Sequence, residues 1–524
     1  MRIPVLLLAL GLFMFMPETP QDNEGRPPED EENIKAGKLI YEARCAACHG
    51  MEGDGQGLAG AYMLPAPRDF TDGSKFKIRT TVAGIVPRTE DLFLPVSKGM
   101  PGTTMPAWED VLSETERWQV IYYIKTFGGE DWEEEAELEE DDLVKVPEPG
   151  GKPDKETIAR GGEIYQKMKC WECHGQNGRG NGEGATTPRD KYGLWPRNLT
   201  RRDLFRGGRR VKDVARSIMT GLGGVAMPEY HDQFEKDEDI LALTHYVLSL
   251  SEHQEKYPPS LEIQAVYTEE DIPDDPGDEF WGKTGGVRMK LSPQLTLPTR
   301  WQFASVDEVR VNAIYNGAEL ALRVEWDDRF RDAVHEKDDH EVTLASKSVA
   351  LPTRKDLEVL RAKKFADGFS IQFPPGALEG GKKPHFAMGA PSMPVESWHY
   401  RADREGMKYI SKGYFDTPDK MEKIPVKAKF EDGRWMAVFK IPIEGDGRFE
   451  PGKYLPIAFA AWDGGNGENG SRGSVSTWYW IVLEPKPSPM PYAYGGITFL
   501  LCGFMGIFFI RRIQKPGQGG TEES

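Results

Sequence analysis

At 524 residues the chain is long enough for about three or four domains of ordinary size. Its formal net charge of −18, from 84 acidic against 66 basic side chains, argues against nucleic acid and against a polybasic contact with a membrane surface. Of five cysteines, four sit in two short runs, so no pair remains for a disulfide framework.

In chain order, Arg2 precedes an apolar run from Ile3 to Met16. Residues 1–16 have signal-peptide length but no clear small-x-small site before Pro17, so they read as a signal peptide or an uncleaved N-terminal anchor. Residues 17–32, rich in Pro, Glu and Asp, read as a flexible leader. The spacing then predicts a helix from Ile34 to Arg44, leading into Cys45-Ala46-Ala47-Cys48-His49. Two thiols three residues apart on one helical turn reach the two vinyl groups of one porphyrin. The next histidine puts an imidazole nitrogen on the iron, which makes this the attachment signature of a c-type haem. Gly50, Gly53, Gly55 and Gly57 permit tight turns beside a bulky ligand, and Pro65 to Pro67 with Phe70 continue that wall. Met105, in Gly102-Thr103-Thr104-Met105-Pro106-Ala107-Trp108, is the candidate sixth ligand; Met100, also followed by proline, competes with it. An amphipathic helix from Glu114 to Phe127 closes this first unit, 33–128.

Nearly every residue from Glu130 to Asp142 is acidic, and prolines follow, so 129–155 reads as a solvated linker; a docking element for a basic partner is the sharper alternative. A second unit, 156–252, repeats the first: Gly162 to Tyr165 parallels Gly37 to Tyr41, and Cys170-Trp171-Glu172-Cys173-His174 parallels the first motif. Met227 lies in a second Met-Pro loop, and a helix runs from Asp237 to Leu250. A zinc site would have to pool both cysteine pairs across about 120 residues, and a dithiol couple expects a βαβ context that neither run has. Two covalently bound haem c groups are therefore expected. Arg201, Arg202, Arg206, Arg209 and Arg210 form a basic run that reads as a solvated face, or as partners for haem propionates or an acidic neighbour.

Both units resemble the class I cytochrome c fold, in which a leading helix enters the attachment motif and a loop delivers methionine. The resemblance implies Cys45, Cys48, Cys170 and Cys173 as thioether anchors, His49 and His174 as proximal ligands, and Met105 and Met227 as distal ligands. Thioether ligation raises the reduction potential. Six-coordinate iron has no open position for substrate, which suits electron transfer and disfavours a dihaem peroxidase.

From 258 to 485 the pattern changes to period-two alternation between turn signals. Val309, Val311 and Tyr315 lead to Asn316-Gly317 and then Leu320, Leu322, Val324 and Trp326; Val426 to Phe430 lead to Asp432-Gly433 and then Trp435 to Ile441. Ile457–Trp462 and Val475–Leu483 are further strands, and the whole predicts a β-sandwich. Tyr492 to Ile510 is about 19 residues without a charge, roughly 28 Å as a helix, so 491–511 is expected to span a membrane. Arg511, Arg512 and Lys515 keep the tail, 512–524, cytoplasmic and the main body on the opposite, periplasmic side of a bacterial cytoplasmic membrane. Covalent haem attachment outside that membrane agrees. The expected architecture is two all-α cytochrome c domains, a β-sandwich domain and one C-terminal transmembrane helix.

Asp367-Gly368-Phe369-Ser370-Ile371-Gln372-Phe373, Phe386-Ala387-Met388-Gly389-Ala390-Pro391, Trp398-His399-Tyr400-Arg401 and Phe459-Ala460-Ala461-Trp462-Asp463-Gly464 resemble the haem b domain of the ethylbenzene dehydrogenase family, a γ subunit of periplasmic molybdenum enzymes. The resemblance implies one haem b held by a methionine, here Met388, and a lysine. Where that lysine is expected the chain has Arg472, which stays protonated and offers iron no lone pair; His385 and His399 are the substitutes at hand. The functional reading is an electron-relaying subunit of a membrane respiratory oxidoreductase of the molybdopterin class, resembling nitrite oxidoreductase, and not catalytic by itself. Its partners would be other subunits of that complex, a soluble cytochrome or other redox partner, and the membrane. The alternative is the cytochrome c subunit of a quinol-oxidising cytochrome b complex.

Overall fold

The computed structural model describes residues 25–513 apart from 74–75, 224–225, 252–256, 298, 337–352, 377, 379–380, 415–417 and 487–489. The readings of 1–16, of 17–24 and of 514–524 lie outside the described residues. The chain divides into two compact units: Met1–Lys256 with Pro298–Phe303 and Asp338–Lys363, and Tyr257–Leu297 with Ala304–Lys337 and Lys364–Ser524.

The first unit contains one arrangement twice. Its first copy has α1 (Glu31–Arg44), α2 (Ala46–His49), α3 (Thr89–Lys98) and α4 (Glu114–Gly128); its second has α5 (Lys155–Lys167), α6 (Trp171–His174), α7 (Thr186–Tyr192), α8 (Val211–Met219) and α9 (Asp237–Ser249). Asp30 and Asp154 cap α1 and α5 by accepting the backbone N–H of Asn33 and Thr157, and Ser113 with Glu116 forms a capping box on α4. In each copy the leading helix crosses the closing one at a glycine. A Cβ at Gly37 would stand 1.9 Å from the Gln119 carbonyl oxygen, and one at Gly161 would stand 2.1 Å from that of Ala242. Only glycine permits that approach. Tyr41 and Tyr165 then reach from the helices to donate to the carbonyls of Gly50 and Gly175, both at 2.7 Å, just past the attachment motifs.

The two copies meet directly. Buried Arg79 donates from Nη2 to the Thr220 carbonyl at 2.6 Å and from Nε to that of Thr81 at 3.1 Å, and lies 3.5 Å from Glu229. Glu229 in turn accepts from Ala83 N at 2.8 Å. Arg79→Met should cost about 2–3 kcal/mol, because it strands buried acceptors. Thermal unfolding followed at the two repeats should split into separate steps; a single unchanged transition would count against this contact.

The acidic stretch differs from its sequence reading. Short 3₁₀ turns carry Trp132 into the first apolar core, and Val144 into the second. Glu135 accepts from the N–H and hydroxyl of Thr89 at 2.5 and 2.7 Å and pairs with Lys125 at 3.0 Å. Charge density alone hid two apolar anchors and a cap acceptor.

The second unit is built on a 14-stranded sheet. Its strands are β1 (Glu262–Tyr267), β2 (Val287–Lys290), β3 (Ser292–Pro293), β4 (Glu308–Tyr315), β5 (Glu319–Asp327), β6 (Gly368–Phe373) and β7 (Val395–Arg401). They continue with β8 (Arg404–Ser411), β9 (Met421–Ile424), β10 (Val426–Glu431), β11 (Arg434–Pro442), β12 (Tyr454–Trp462), β13 (Ser474–Val475) and β14 (Tyr479–Leu483). The main path runs β10-β11-β5-β4-β1-β14-β12-β6-β7-β8-β9. Both predicted hairpins are present, β4 to β5 around Asn316-Gly317 and β10 to β11 around Asp432-Gly433. The sheet curls round its apolar face: Trp326 of β5 stacks on Phe369 of β6 at 4.8 Å, though four strands separate them along the path. The strand expected from Val475 to Leu483 is two strands. Ser476 interrupts the ladder by accepting the Phe459 N–H on its hydroxyl at 2.8 Å. After the sheet, the helix Met490–Ile513 is long and apolar enough to cross a membrane, with mean hydropathy 1.7 over Tyr494–Ile513 and none of that stretch buried.

A buried ion-pair group braces β4, β5 and β11. Glu325 is within 3.0, 3.1 and 2.5 Å of Arg310, Arg323 and Arg434. Burial alone would raise the Glu325 carboxyl, but Arg434, Arg310 and Arg323 outweigh it and hold it at about 2. A depressed folded-state value means stability that is fully present above pH 4.5 and is lost as pH falls through about 2. The second unit should lose about 3 kcal/mol across that window. Acid titration of its unfolding midpoint checks this; Glu325→Gln should flatten the profile.

Candidate haem sites

Each repeat encloses an apolar cavity beside its attachment motif. Cys45, Cys48 and His49 line the first, with Met100 and Met105 on its wall; Cys170, Cys173, His174 and Met227 line the second. The helical turns of α2 and α6 bring each cysteine pair and its histidine to one side, as the spacing predicts. The ring of His49 has its Nδ1 3.0 Å from the Arg68 carbonyl, and that of His174 has its Nδ1 2.9 Å from the Arg197 carbonyl. Burial pushes both imidazoles down, so they are neutral, and a neutral ring that donates from Nδ1 leaves Nε2 as the ligand atom. Phe70 stacks on His49 at 4.4 Å and fixes its plane. The thiol pair, the oriented imidazole and the thioether wall fit a c-type haem in each cavity.

The two methionine loops share a backbone bond that separates Met105 from Met100. Met100 N donates to the Met105 carbonyl at 3.1 Å, and Leu222 N donates to that of Met227 at 3.1 Å. Met105 therefore corresponds to Met227, and Met100 corresponds to a leucine.

Between the cavities lies a positive group that the sequence scattered over more than a hundred residues. Arg197 Nη2 and Arg206 Nε both donate to the Pro101 carbonyl at 3.2 Å, crossing from the second repeat to the methionine loop of the first. Burial, then Arg206, Arg68 and Arg197, push the Lys77 ammonium down to about 7. The basic run read as a solvated face is thus split. Arg202, Arg209 and Arg210 keep to solvent, whereas Arg206 lines the second cavity and Arg201 is buried against Asp203 at 3.1 Å.

The sheet unit has a cavity lined by Met388, His399, Tyr409, Trp462 and Gly368. Met388 adopts a left-handed backbone, φ 64°, where Gly389 N bonds back to the His385 carbonyl at 2.9 Å. His399 stacks flat on Trp462 at 5.2 Å, and its Nδ1 lies 2.8 Å from the Tyr409 hydroxyl. Its Nε2 is buried with no hydrogen-bond partner among the described residues. Burial pushes this imidazole down to about 3, so it is neutral. His385 is not in this wall; it stacks on Phe386 at 4.8 Å. Arg472 is wholly buried elsewhere, over the Phe365 ring at 5.4 Å, and among the described residues no lysine lines the cavity.

Comparison with known proteins divides the chain along the same lines. The model for subunit III of cbb3-type cytochrome c oxidase matches residues 32–124, the cytochrome c model matches 158–251, and the ethylbenzene dehydrogenase model matches 278–425. Two tandem cytochrome c domains are fused here to an ethylbenzene dehydrogenase-type domain. The cytochrome c domains carry covalent haem c. A haem subunit assigned to a respiratory nitrate reductase of Haloferax mediterranei is 25% identical over 47% of this chain and 83% of its own length. The chlorate reductase γ subunit of Ideonella dechloratans is 25% identical over 34% of this chain; the chain spans 65% of that relative, just under two thirds. A solved chain of the reducing HAO-like protein complex of Kuenenia stuttgartiensis is 38% identical, covering 43% of this chain and 98% of that one, at TM-score 0.37.

Proposed function

We propose that the chain is a membrane-anchored, periplasm-facing electron-relay subunit of a respiratory oxidoreductase, of the molybdopterin class. The observation that carries this is the fusion itself: two repeats in direct contact, each with a matched cavity beside its attachment motif, joined in one chain to a domain with a Met388–His399 cavity. Haem iron supplies the one-electron chemistry. Cys45, Cys48, Cys170 and Cys173 would hold the two haem c groups through their sulfurs, and His49 with Met105 and His174 with Met227 would supply the iron ligands. With those ligands in place the iron would have no open position for substrate, and the chain would relay electrons without catalysing by itself. Lys77, Arg68, Arg197 and Arg206 would pair the haem propionates between the two domains, because like charges held this close call for anions. In the sheet unit, which we read as a β-sandwich, Met388 and His399 would hold one haem b in place of the methionine–lysine pair of the family. The helix Met490–Ile513 would anchor the chain in the cytoplasmic membrane, with its basic end inside. The partners would be the molybdopterin and other subunits, and a soluble cytochrome.

A pyridine haemochrome assay on the purified chain tests the cofactors, and mass spectrometry of co-purifying proteins tests the complex. Two c-haems and one b-haem beside a molybdopterin subunit are expected. A Rieske protein and a cytochrome b in their place would favour the second reading, a cytochrome c subunit of a quinol-oxidising cytochrome b complex.

A further inference from the structure

Three carboxylates far apart in sequence meet inside the sheet unit. Asp328 follows β5, Asp367 precedes β6 and Asp463 follows β12, and one oxygen from each lies within 4.8 Å of the others. All three residues are buried, at 4%, 0% and 4% exposure. Burying one unneutralised carboxylate is costly, and burying three together is more so.

The bonds they make leave acceptor positions unfilled on all three. Asp367 accepts from Gly464 N at 2.9 Å, Asp332 N at 2.7 Å and Trp435 Nε1 at 3.0 Å. Asp463 accepts from Asn466 N at 3.0 Å and the Ser305 hydroxyl at 2.6 Å. A carboxylate has about four acceptor positions, so one remains on Asp367 and two on Asp463. Asp328 is the independent observation. Its Oδ1 receives a single long bond from Phe330 N at 3.4 Å, and its Oδ2 is buried with no hydrogen-bond partner among the described residues. Hydrogen bonding accounts for the other two carboxylates and not for this one. The buried guanidinium of Arg329 lies in the field of Asp463 and Asp328 and offsets one of the charges.

We infer that Asp328, Asp367 and Asp463 form a structural site for one divalent cation. The donor set is entirely oxygen, carries full charges and joins loop ends, which is the chemistry calcium prefers over the softer transition metals. The ion would clip the ends of β5, β6 and β12 together. Gly368 and Trp462, next in sequence to two of the ligands, line the Met388 cavity, so the clip would also hold that wall.

Elemental analysis of the full purified chain after desalting tests this directly. About one calcium per chain is expected, with none in Asp328→Asn. Chelation with EDTA should lower the melting temperature of the sheet unit by roughly 5–10 °C, and calcium chloride should restore it, in the wild type only. Absence of any stoichiometric divalent ion, with melting indifferent to EDTA, would overturn the site, since protons and Arg329 would then balance the group. A different divalent ion at one per chain would overturn the calcium assignment. If Asp328→Asn does not fold, the wild-type metal content and chelation series decide the matter without it.

Discussion

Replacing Cys45 and Cys48 together by serine should halve the covalent haem of the chain and unfold its first repeat. The two effects have one cause. Phe70, Phe76, Leu92, Val96, Val120 and Ile124 face the first cavity, so a porphyrin bound there would fill the centre of that repeat's core. Losing a core filler larger than any side chain should cost on the order of 5 kcal/mol or more, by extension from large-to-small substitutions. A domain of this size holds only about 5–15 kcal/mol in total. Haem-stained gels should show half the signal per chain, and circular dichroism should show lost helix. Cys170→Ser with Cys173→Ser should give the same result for the second repeat. Undiminished haem stain in either variant would remove the attachment assignment.

The second large effect is expected at the methionines. Met105→Leu and Met227→Leu should each abolish the sulfur-to-iron charge-transfer band of one haem and lower its potential by roughly 0.1 V or more, well inside the ~0.8 V that axial ligands span. Met100→Leu is the control. Its counterpart in the second loop is Leu222, which already lines a haem cavity, so the substitution should leave band and potential in place. If Met100→Leu removes the band and Met105→Leu does not, the loop correspondence is wrong. Stability should change little in all three variants, because leucine conserves the volume that methionine filled.

Together these substitutions separate what a haem domain needs to fold from what it needs to function. On the proposed reading the cysteines and the apolar wall would hold the porphyrin, and the histidine, oriented by a backbone carbonyl, and the methionine would tune it. The contact through Arg79, Arg197 and Arg206 brings the two haem domains together, which an electron relay requires and an isolated cytochrome does not.

The attachment motifs were legible from sequence because their chemistry is local: two thiols and an imidazole within five residues share one helical turn in any fold. The closing helices were legible for the same reason, since a 3.6-residue period lies within one stretch of chain, as does the capping box of the first. Both tight hairpins were readable from their two turn residues. Long-range choices were not. Sequence favoured Met105 and left Met100 as its competitor, and the paired loop geometry separates them. It also left His385 and His399 as equals; strand pairing carries His399 onto the cavity wall with Met388, while His385 turns aside to Phe386. The polar strand β8 and the edge strand β9 beside it gave no apolar alternation to read, because most of their side chains are partly or wholly exposed.

Local covalent and helical chemistry, then, was determined by the sequence by itself: two C-x-x-C-H motifs each on one helical turn, the closing helices and an apolar helix after the sheet. Only the tertiary structure decided which charges are buried and what they face. Arg206 and Lys77 are brought between two haem cavities, and Asp328, Asp367 and Asp463 are drawn into one buried group from three strand ends. The reason is that electrostatic energy depends on distance and burial, and neither follows from the order of residues along a chain.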